Sequence, residues 1–160
     1  MKQNGNEVLT KVENSTKEAL ENLTLKIFAN NGENEVLLKL QQGELDAVLV
    51  YRKLAELASS EEEKNVLLSI AADEGRHASI IREYSKEILK PCNKSSEEIE
   101  AAYKNLGKEK VFEMLINAEI NGGPVYEKLG EEFPRLKEIA KDEIKHGNLL
   151  KGLIGKSNLN

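Results

Sequence analysis

Both histidines of this chain follow a glutamate by three residues, in the segments Glu74–His77 and Glu143–His146. Residues three apart on a helix lie on the same face, so each carboxylate and imidazole can bind one metal ion together. Taken singly, a Glu-x-x-His segment more often forms a surface ion pair or a helix hydrogen bond. The argument for a metal site therefore depends on the rest of the pattern.

Four segments each carry one glutamate within an otherwise apolar stripe at helical spacing. These glutamates are Glu44, Glu74, Glu119 and Glu143. An isolated ionised carboxylate in a core is too costly to keep. Four that converge would repel one another strongly unless cations lay between them. Two divalent metal ions would resolve this conflict.

The sequence positions of the four glutamates predict that they lie at the same height along the bundle axis. Glu44 lies 16 residues before the turn expected near position 60, and Glu74 lies 14 residues after it. Glu119 and Glu143 each lie 12 residues from the turn expected near position 131. With a rise of ~1.5 Å per residue, the partners in each antiparallel hairpin would lie within roughly 3 Å of the same height.

Two tyrosines repeat the same spacing. Tyr51 follows Glu44 by seven residues, and Tyr126 follows Glu119 by seven. Because residues two turns apart share a helix face, the two hairpins resemble an approximate internal repeat around one site. A buried tyrosine hydroxyl needs a partner, and a carboxylate of the site could supply it.

The sequence predicts that every element carrying these residues is a helix. Apolar periodicity predicts long helices over about 33–58, 61–89, 108–130 and 134–155, and Gly122–Pro124 should kink the third or widen one of its turns. A long connection over 90–108 should hold a short capped helix that ends near Gly107. Two helical hairpins joined by one long crossover are the connectivity of ferritin-like bundles.

We therefore predict an all-α, antiparallel ferritin-like four-helix bundle over 33–155. An extra amphipathic helix over 7–29 would form an N-terminal extension within 1–32, and 156–160 would be a frayed tail. The 7–29 helix would pack either on a second copy of the chain or on its own bundle.

Length, charge and hydropathy argue against several classes of protein. A chain of 160 residues suggests one domain, and its net charge of −5 without a basic stripe argues against nucleic-acid binding. No run of about 18 apolar residues predicts a membrane span, and no apolar segment at the N-terminus predicts a signal peptide. Cys92 is the only cysteine. A cytoplasmic protein is the resulting expectation.

The local sequence around the first two ligand candidates resembles a known family. The segments Gln42–Tyr51 and Asp73–Ala78, with the pattern of two Glu and two Glu-x-x-His, resemble the rubrerythrin group of ferritin-like di-iron carboxylate proteins over about residues 35–154. The resemblance implies a redox enzyme that reduces hydrogen peroxide or oxidises ferrous iron, with peroxide, dioxygen or ferrous iron as small substrates. It implies metal-ligating, catalytic roles for the following residues: Glu44, Glu74, His77, Glu119, Glu143 and His146.

The same resemblance places Tyr51 and Tyr126 beside the ligands. Carboxylate and imidazole donors without thiolate suit iron or manganese better than structural zinc, so two iron ions are the expected cofactor, with manganese or a mixed pair as alternatives. Asp73 and Asp142 directly precede the motif glutamates, and we expect both to point to solvent.

Two features depart from the family pattern. Rubrerythrins proper add a rubredoxin domain with paired Cys-x-x-Cys motifs, whereas this chain has Cys92 alone. The resemblance therefore implies a separate electron-donor protein. The family also usually has a second glutamate one turn after the third-helix ligand, and here that position is Gly122.

Two other functions remain open at this point. The same ligands would serve an iron-storage or iron-handling protein, which would form a large shell rather than the homodimer or small homo-oligomer expected here. A helical bundle that only binds partners would carry no metal.

Overall fold

The computed structural model describes residues 32–157 of the chain. Within this range five helices form, and no strand does. They are α1 (Glu33–Glu56), α2 (Glu61–Ser85), α3 (Lys94–Leu106), α4 (Lys108–Leu129) and α5 (Leu136–Ser157). The predicted 7–29 helix lies outside the described residues, as does the end of the predicted tail.

A serine cap and a left-handed residue set the two ends of helix α2. The Ser60 hydroxyl accepts a hydrogen bond from the backbone N–H of Glu63 at 3.1 Å, which caps the first turn. The helix ends at Ser85 because Lys86 adopts a left-handed conformation with φ 63°. The predicted continuation to residue 89 was therefore wrong. Ile88, which the predicted helix would have included, is 73% exposed.

The second hairpin differs from the prediction only where its second helix begins. Helix α4 includes Gly122–Pro124, with Pro124 inside it, and the kink or widened turn stays a prediction. Helix α5 begins at Leu136 rather than at Pro134, because residues 130–135 form turns in which Leu136 N–H donates to the Phe133 carbonyl. The short helix α3 ends at Gly107, as predicted, where a φ of 86° favours glycine.

The helices pack as two antiparallel hairpins, α1–α2 and α4–α5, joined by the crossover that contains α3. Helix α2 packs against α5, and α3 packs against both α1 and α4. Helices α1 and α4 face each other more loosely, since no pair of their Cα atoms lies within 8 Å. This is the predicted all-α ferritin-like bundle, so the fold prediction is confirmed.

Two apolar clusters fill the bundle, one toward each end. The first includes Leu54, Leu67, Phe112 and Leu150, and the second includes Leu37, Ile81, Leu129 and Ile139. On each of the four long helices, the glutamate of the predicted site lies between the stretches that contribute to the two clusters. A polar layer thus crosses the middle of the core. No helix among residues 32–157 has the length and apolar character needed to cross a bilayer.

Candidate metal centre

The polar layer contains all six side chains predicted to converge. Helix α1 contributes one glutamate, α2 a glutamate and a histidine, α4 one glutamate, and α5 a glutamate and a histidine. Each of them is at most 7% exposed, and both histidines are fully buried. The members are Glu44, Glu74, His77, Glu119, Glu143 and His146.

These side chains form two overlapping groups. One contains Glu44 and His77, the other contains Glu119 and His146, and both include Glu74 and Glu143. Within each group, one potential ligand atom from every residue lies within 4.8 Å of all the others. The cluster therefore offers two adjacent cation positions with two carboxylates in common.

Both imidazoles direct Nδ1 into the cluster. Nδ1 of His77 lies 3.3 Å from Glu44 Oε2 and 3.5 Å from Glu143 Oε1. Nδ1 of His146 lies 3.0 Å from Glu74 Oε1 and 3.2 Å from Glu119 Oε2. The two rings are stacked, with centroids 5.6 Å apart.

The outer nitrogen of each imidazole meets an aspartate from the other hairpin. Nε2 of His77 lies 3.2 Å from Asp142 Oδ2, and Nε2 of His146 lies 3.1 Å from Asp73 Oδ2. The expectation that both aspartates point to solvent was wrong, since they are only partly exposed and occupied by these contacts. The repeated Asp-Glu-x-x-His sequence was the available signal, but on one helix it does not show that the aspartate reaches the opposite histidine.

These aspartates decide which imidazole nitrogen is available to a metal. A carboxylate beside Nε2 favours the tautomer with hydrogen on Nε2, which leaves the Nδ1 lone pair directed at the cluster. Two surface cations hold the aspartates in turn. Arg76 contacts Asp142, and Lys145 Nζ lies 3.1 Å from Asp73 Oδ2.

The tyrosines connect the two hairpins. Tyr51 donates its hydroxyl hydrogen to Glu119 Oε1, and Tyr126 donates to Glu44 Oε1. Each tyrosine therefore contacts the glutamate of the opposite hairpin rather than the one seven residues before it. Seven residues correspond to ~10.5 Å along a helix, which is too far for a direct contact within one helix.

Burial and mutual repulsion disfavour the ionised form of three of the four glutamates in this cluster. Burial, followed by the charges of Glu44, Glu119 and Glu74, raises the pKa of Glu143 to about 10. Burial and the hydrogen bond with Glu74 raise the pKa of Glu44 to about 8. Burial also raises the pKa of Glu119.

For both imidazoles and for Glu74, hydrogen bonds within the cluster instead favour the charged form. Burial disfavours charge on His77, but its hydrogen bonds with Glu44 and Glu74 outweigh burial and raise its pKa to about 10. The pKa of His146 rises in the same way to about 11. Burial also opposes the ionisation of Glu74, yet hydrogen bonds with Glu44 and both imidazoles hold its pKa well below the usual range.

Without a cation, this cluster must therefore hold protons in order to limit its own charge. One of its buried oxygens, Glu143 Oε1, accepts no hydrogen bond within the described residues. A divalent cation would satisfy this oxygen, and cations in the cluster would replace its protons. The donor set of carboxylate oxygens and imidazole nitrogens fits a metal centre of iron or manganese type.

One glutamate from each of two helices and Glu-x-x-His from each of the other two is the arrangement found in ferritin-like carboxylate proteins. The family model described as Rubrerythrin matches residues 35–154. The chain belongs to the rubrerythrin family, and the buried cluster fits a di-iron site. No match was found among proteins of curated function or among solved structures.

Proposed function

We propose that this chain is a di-iron redox enzyme of the rubrerythrin type, which reduces hydrogen peroxide to water. Reduction of one H2O2 to two water molecules consumes two electrons and two protons. A separate electron-donor protein would restore the two electrons after each turnover. Oxidation of ferrous iron by peroxide or dioxygen at the same centre is the related reaction that the same ligands support.

The overlap of the two groups at Glu74 and Glu143 carries this proposal. Shared carboxylates favour a pair of ions over a single ion, and a pair of iron ions can exchange two electrons in one step. Glu44 and His77 would complete the coordination of one ion, and Glu119 and His146 that of the other. When bound, the two irons would supply the electrons and polarise the oxygen–oxygen bond.

The protein itself would position the metal ligands and exclude water from the site. Asp142 and Asp73 orient the imidazoles so that Nδ1 remains free for a metal. Tyr51 and Tyr126 hold the outer oxygens of Glu119 and Glu44 by hydrogen bonds. The apolar clusters on either side of the polar layer keep the pocket dry, which strengthens every electrostatic contact in it.

Anaerobic reconstitution with ferrous iron tests the proposal. We expect two irons per chain, oxidation of both by one equivalent of H2O2, and continued peroxide consumption when a reductant is supplied. Glu119→Gln should lose one iron and most of the turnover. Glu113→Gln is the matched control, because Glu113 lies on the same helix with a side chain that is 56% exposed.

The outcomes separate the alternatives. Turnover of added ferrous iron with dioxygen, without consumption of peroxide under reductant, would indicate a ferroxidase. Elution as a very large particle would indicate iron storage, whereas we propose a homodimer or small homo-oligomer. If neither variant nor wild type binds iron, the chain has no di-iron chemistry.

A further inference from the structure

Three leucines of α1 form a stripe that belongs to neither apolar cluster of the described residues. Leu38, Leu45 and Leu49 are spaced so that they share one face of the helix, and each of them is only partly buried. The core face of α1 is a different one, since it carries the buried Glu44 and Tyr51. The outward face of a surface helix normally carries polar side chains, so this stripe is an apolar surface that needs a cover.

The neighbours of α1 leave a groove over the leucine stripe. On one side α2 is close, since a Cβ at Gly75 would lie 3.7 Å from Val48 Cγ2. On the other side the crossover is held to α1, because the Cys92 backbone N–H donates to Asp46 Oδ1 at 2.6 Å. At ~3.6 residues per turn, the stripe is centred roughly midway between the directions of Val48 and Asp46, on the outer side of the helix.

A cavity of about 730 Å³ lies at one end of this groove, at the turn between α1 and α2. Arg52 and Glu56 line it from α1, and they continue the helix face of the leucine stripe. Leu68 lines it from α2 and is 40% exposed. An apolar side chain in the cavity would therefore cover Leu68 together with the end of the stripe.

The segment before α1 has an apolar stripe of its own. The sequence predicts a helix over 7–29, and only residues 30–32 separate it from α1. Gly32, the last of these, has a φ of 77°. A connection of this length makes consecutive helices antiparallel neighbours, so the segment should run back along α1 of its own chain. Its apolar residues at helical spacing are Val8, Val12, Ala19, Leu23 and Ile27.

The length of the segment carries it to the cavity. Its 23 residues span ~34 Å as a helix, and the 24 residues of α1 span ~36 Å. Val8 precedes residue 29 by 21 positions, and Leu54 follows Glu33 by 21, so an antiparallel arrangement places Val8 at the height of Leu54. Leu54 lies between the cavity-lining residues Arg52 and Ala55.

We propose that residues 7–29 form a helix antiparallel to α1, which packs its apolar stripe over the three leucines and places Val8 in the cavity. The occupant of the groove is thus the N-terminal segment of the same chain and not a second copy. This segment covers the hairpin that supplies Glu44 and Glu74, and the inference is independent of the proposed function.

A double-cysteine variant of the full chain tests the inference. The exposed Cys92 is first replaced by serine. Val8→Cys and Leu68→Cys then place one thiol on each side of the expected contact, and a short bismaleimide joins thiols that lie close together. The matched control combines Val8→Cys with Ile144→Cys, because Ile144 is similarly exposed at 50% but lies on the α4–α5 hairpin.

We expect the Val8–Leu68 pair to be joined within one chain, with a yield that stays constant on about tenfold dilution, and the control pair to give about fivefold less product. Electrophoresis separates products within one chain from products between two chains. Leu49→Asp should lower the yield within one chain by about tenfold, because the segment would then cover a charge. Leu106→Asp should leave it unchanged, since Leu106 is 58% exposed on α3.

A product that joins two chains and declines on dilution would overturn the inference, because a second copy would then occupy the groove. Equal yields from the two cysteine pairs, or no product from the Val8–Leu68 pair, would also overturn it. Circular dichroism shows whether each variant folds. If Leu49→Asp does not fold, the comparison of the two cysteine pairs decides.

Discussion

Replacement of Glu143 by Gln should stabilise the metal-free protein while it weakens metal binding. The carboxyl of Glu143 is buried, and its pKa rises from 4.5 to about 10 on folding. At neutral pH the unfolded chain therefore ionises this group, whereas the folded chain keeps it protonated. The difference between about pH 7 and the ordinary pKa corresponds to a cost of about 3 kcal/mol. A neutral amide of similar size removes this cost, so about 3 kcal/mol is the upper limit of the gain.

The metal-bound protein should respond in the opposite direction. Loss of a carboxylate common to both groups should lower metal affinity by more than the roughly 10–100-fold that is typical of outer-shell changes. A residue that opposes stability of the empty fold but favours the bound state is expected at a functional site.

Urea unfolding of the metal-free proteins, followed by circular dichroism, measures the first effect, and Co2+ titration measures the second. A change in midpoint at constant slope reports stability alone. Glu138→Gln is the control, because Glu138 lies on the same helix with a side chain that is 49% exposed; its effect should stay within about 0.5 kcal/mol. A Glu143→Gln variant that is no more stable than wild type when metal-free, and that binds metal equally well, would refute the reasoning.

Three further predictions concern the surroundings of the cluster. Asp142→Asn should lower the affinity for Co2+ by about 10–100-fold, because the acceptor that orients His77 loses its negative charge; unchanged affinity would count against this role. Tyr51→Phe removes the hydroxyl that donates to Glu119 and should lower the unfolding free energy by about 1–3 kcal/mol in urea, whereas an unchanged midpoint would show that the contact contributes nothing. The raised pKa values of His77 (about 10) and Glu44 (about 8) mean that the folded, metal-free protein binds more protons than the unfolded chain. Its melting temperature should therefore fall as pH rises from about 6 to about 9, while metal affinity increases over the same range; a melting temperature that rises instead would contradict these shifts.

The fold and the height of the site along the bundle could be predicted from the sequence, because both follow from the regular geometry of the α-helix. A period of 3.6 residues places each Glu-x-x-His pair on one face, and a constant rise places Glu44 beside Glu74 once the turn is located. Helix ends were less predictable. The stop at Ser85 depends on the left-handed conformation of Lys86, and no glycine marks it in the sequence.

Contacts between the hairpins required the tertiary structure. The sequence by itself determined which residues could bind a metal, on which helix faces they lie and at what height. Only the packed bundle decided that Asp142 reaches His77 and that Tyr51 reaches Glu119, because these pairings depend on how one hairpin is rotated against the other. Local spacing specifies a position along and around a single helix. The identity of the neighbour across the core is set by long-range packing, which has no counterpart in the spacing of residues along the chain.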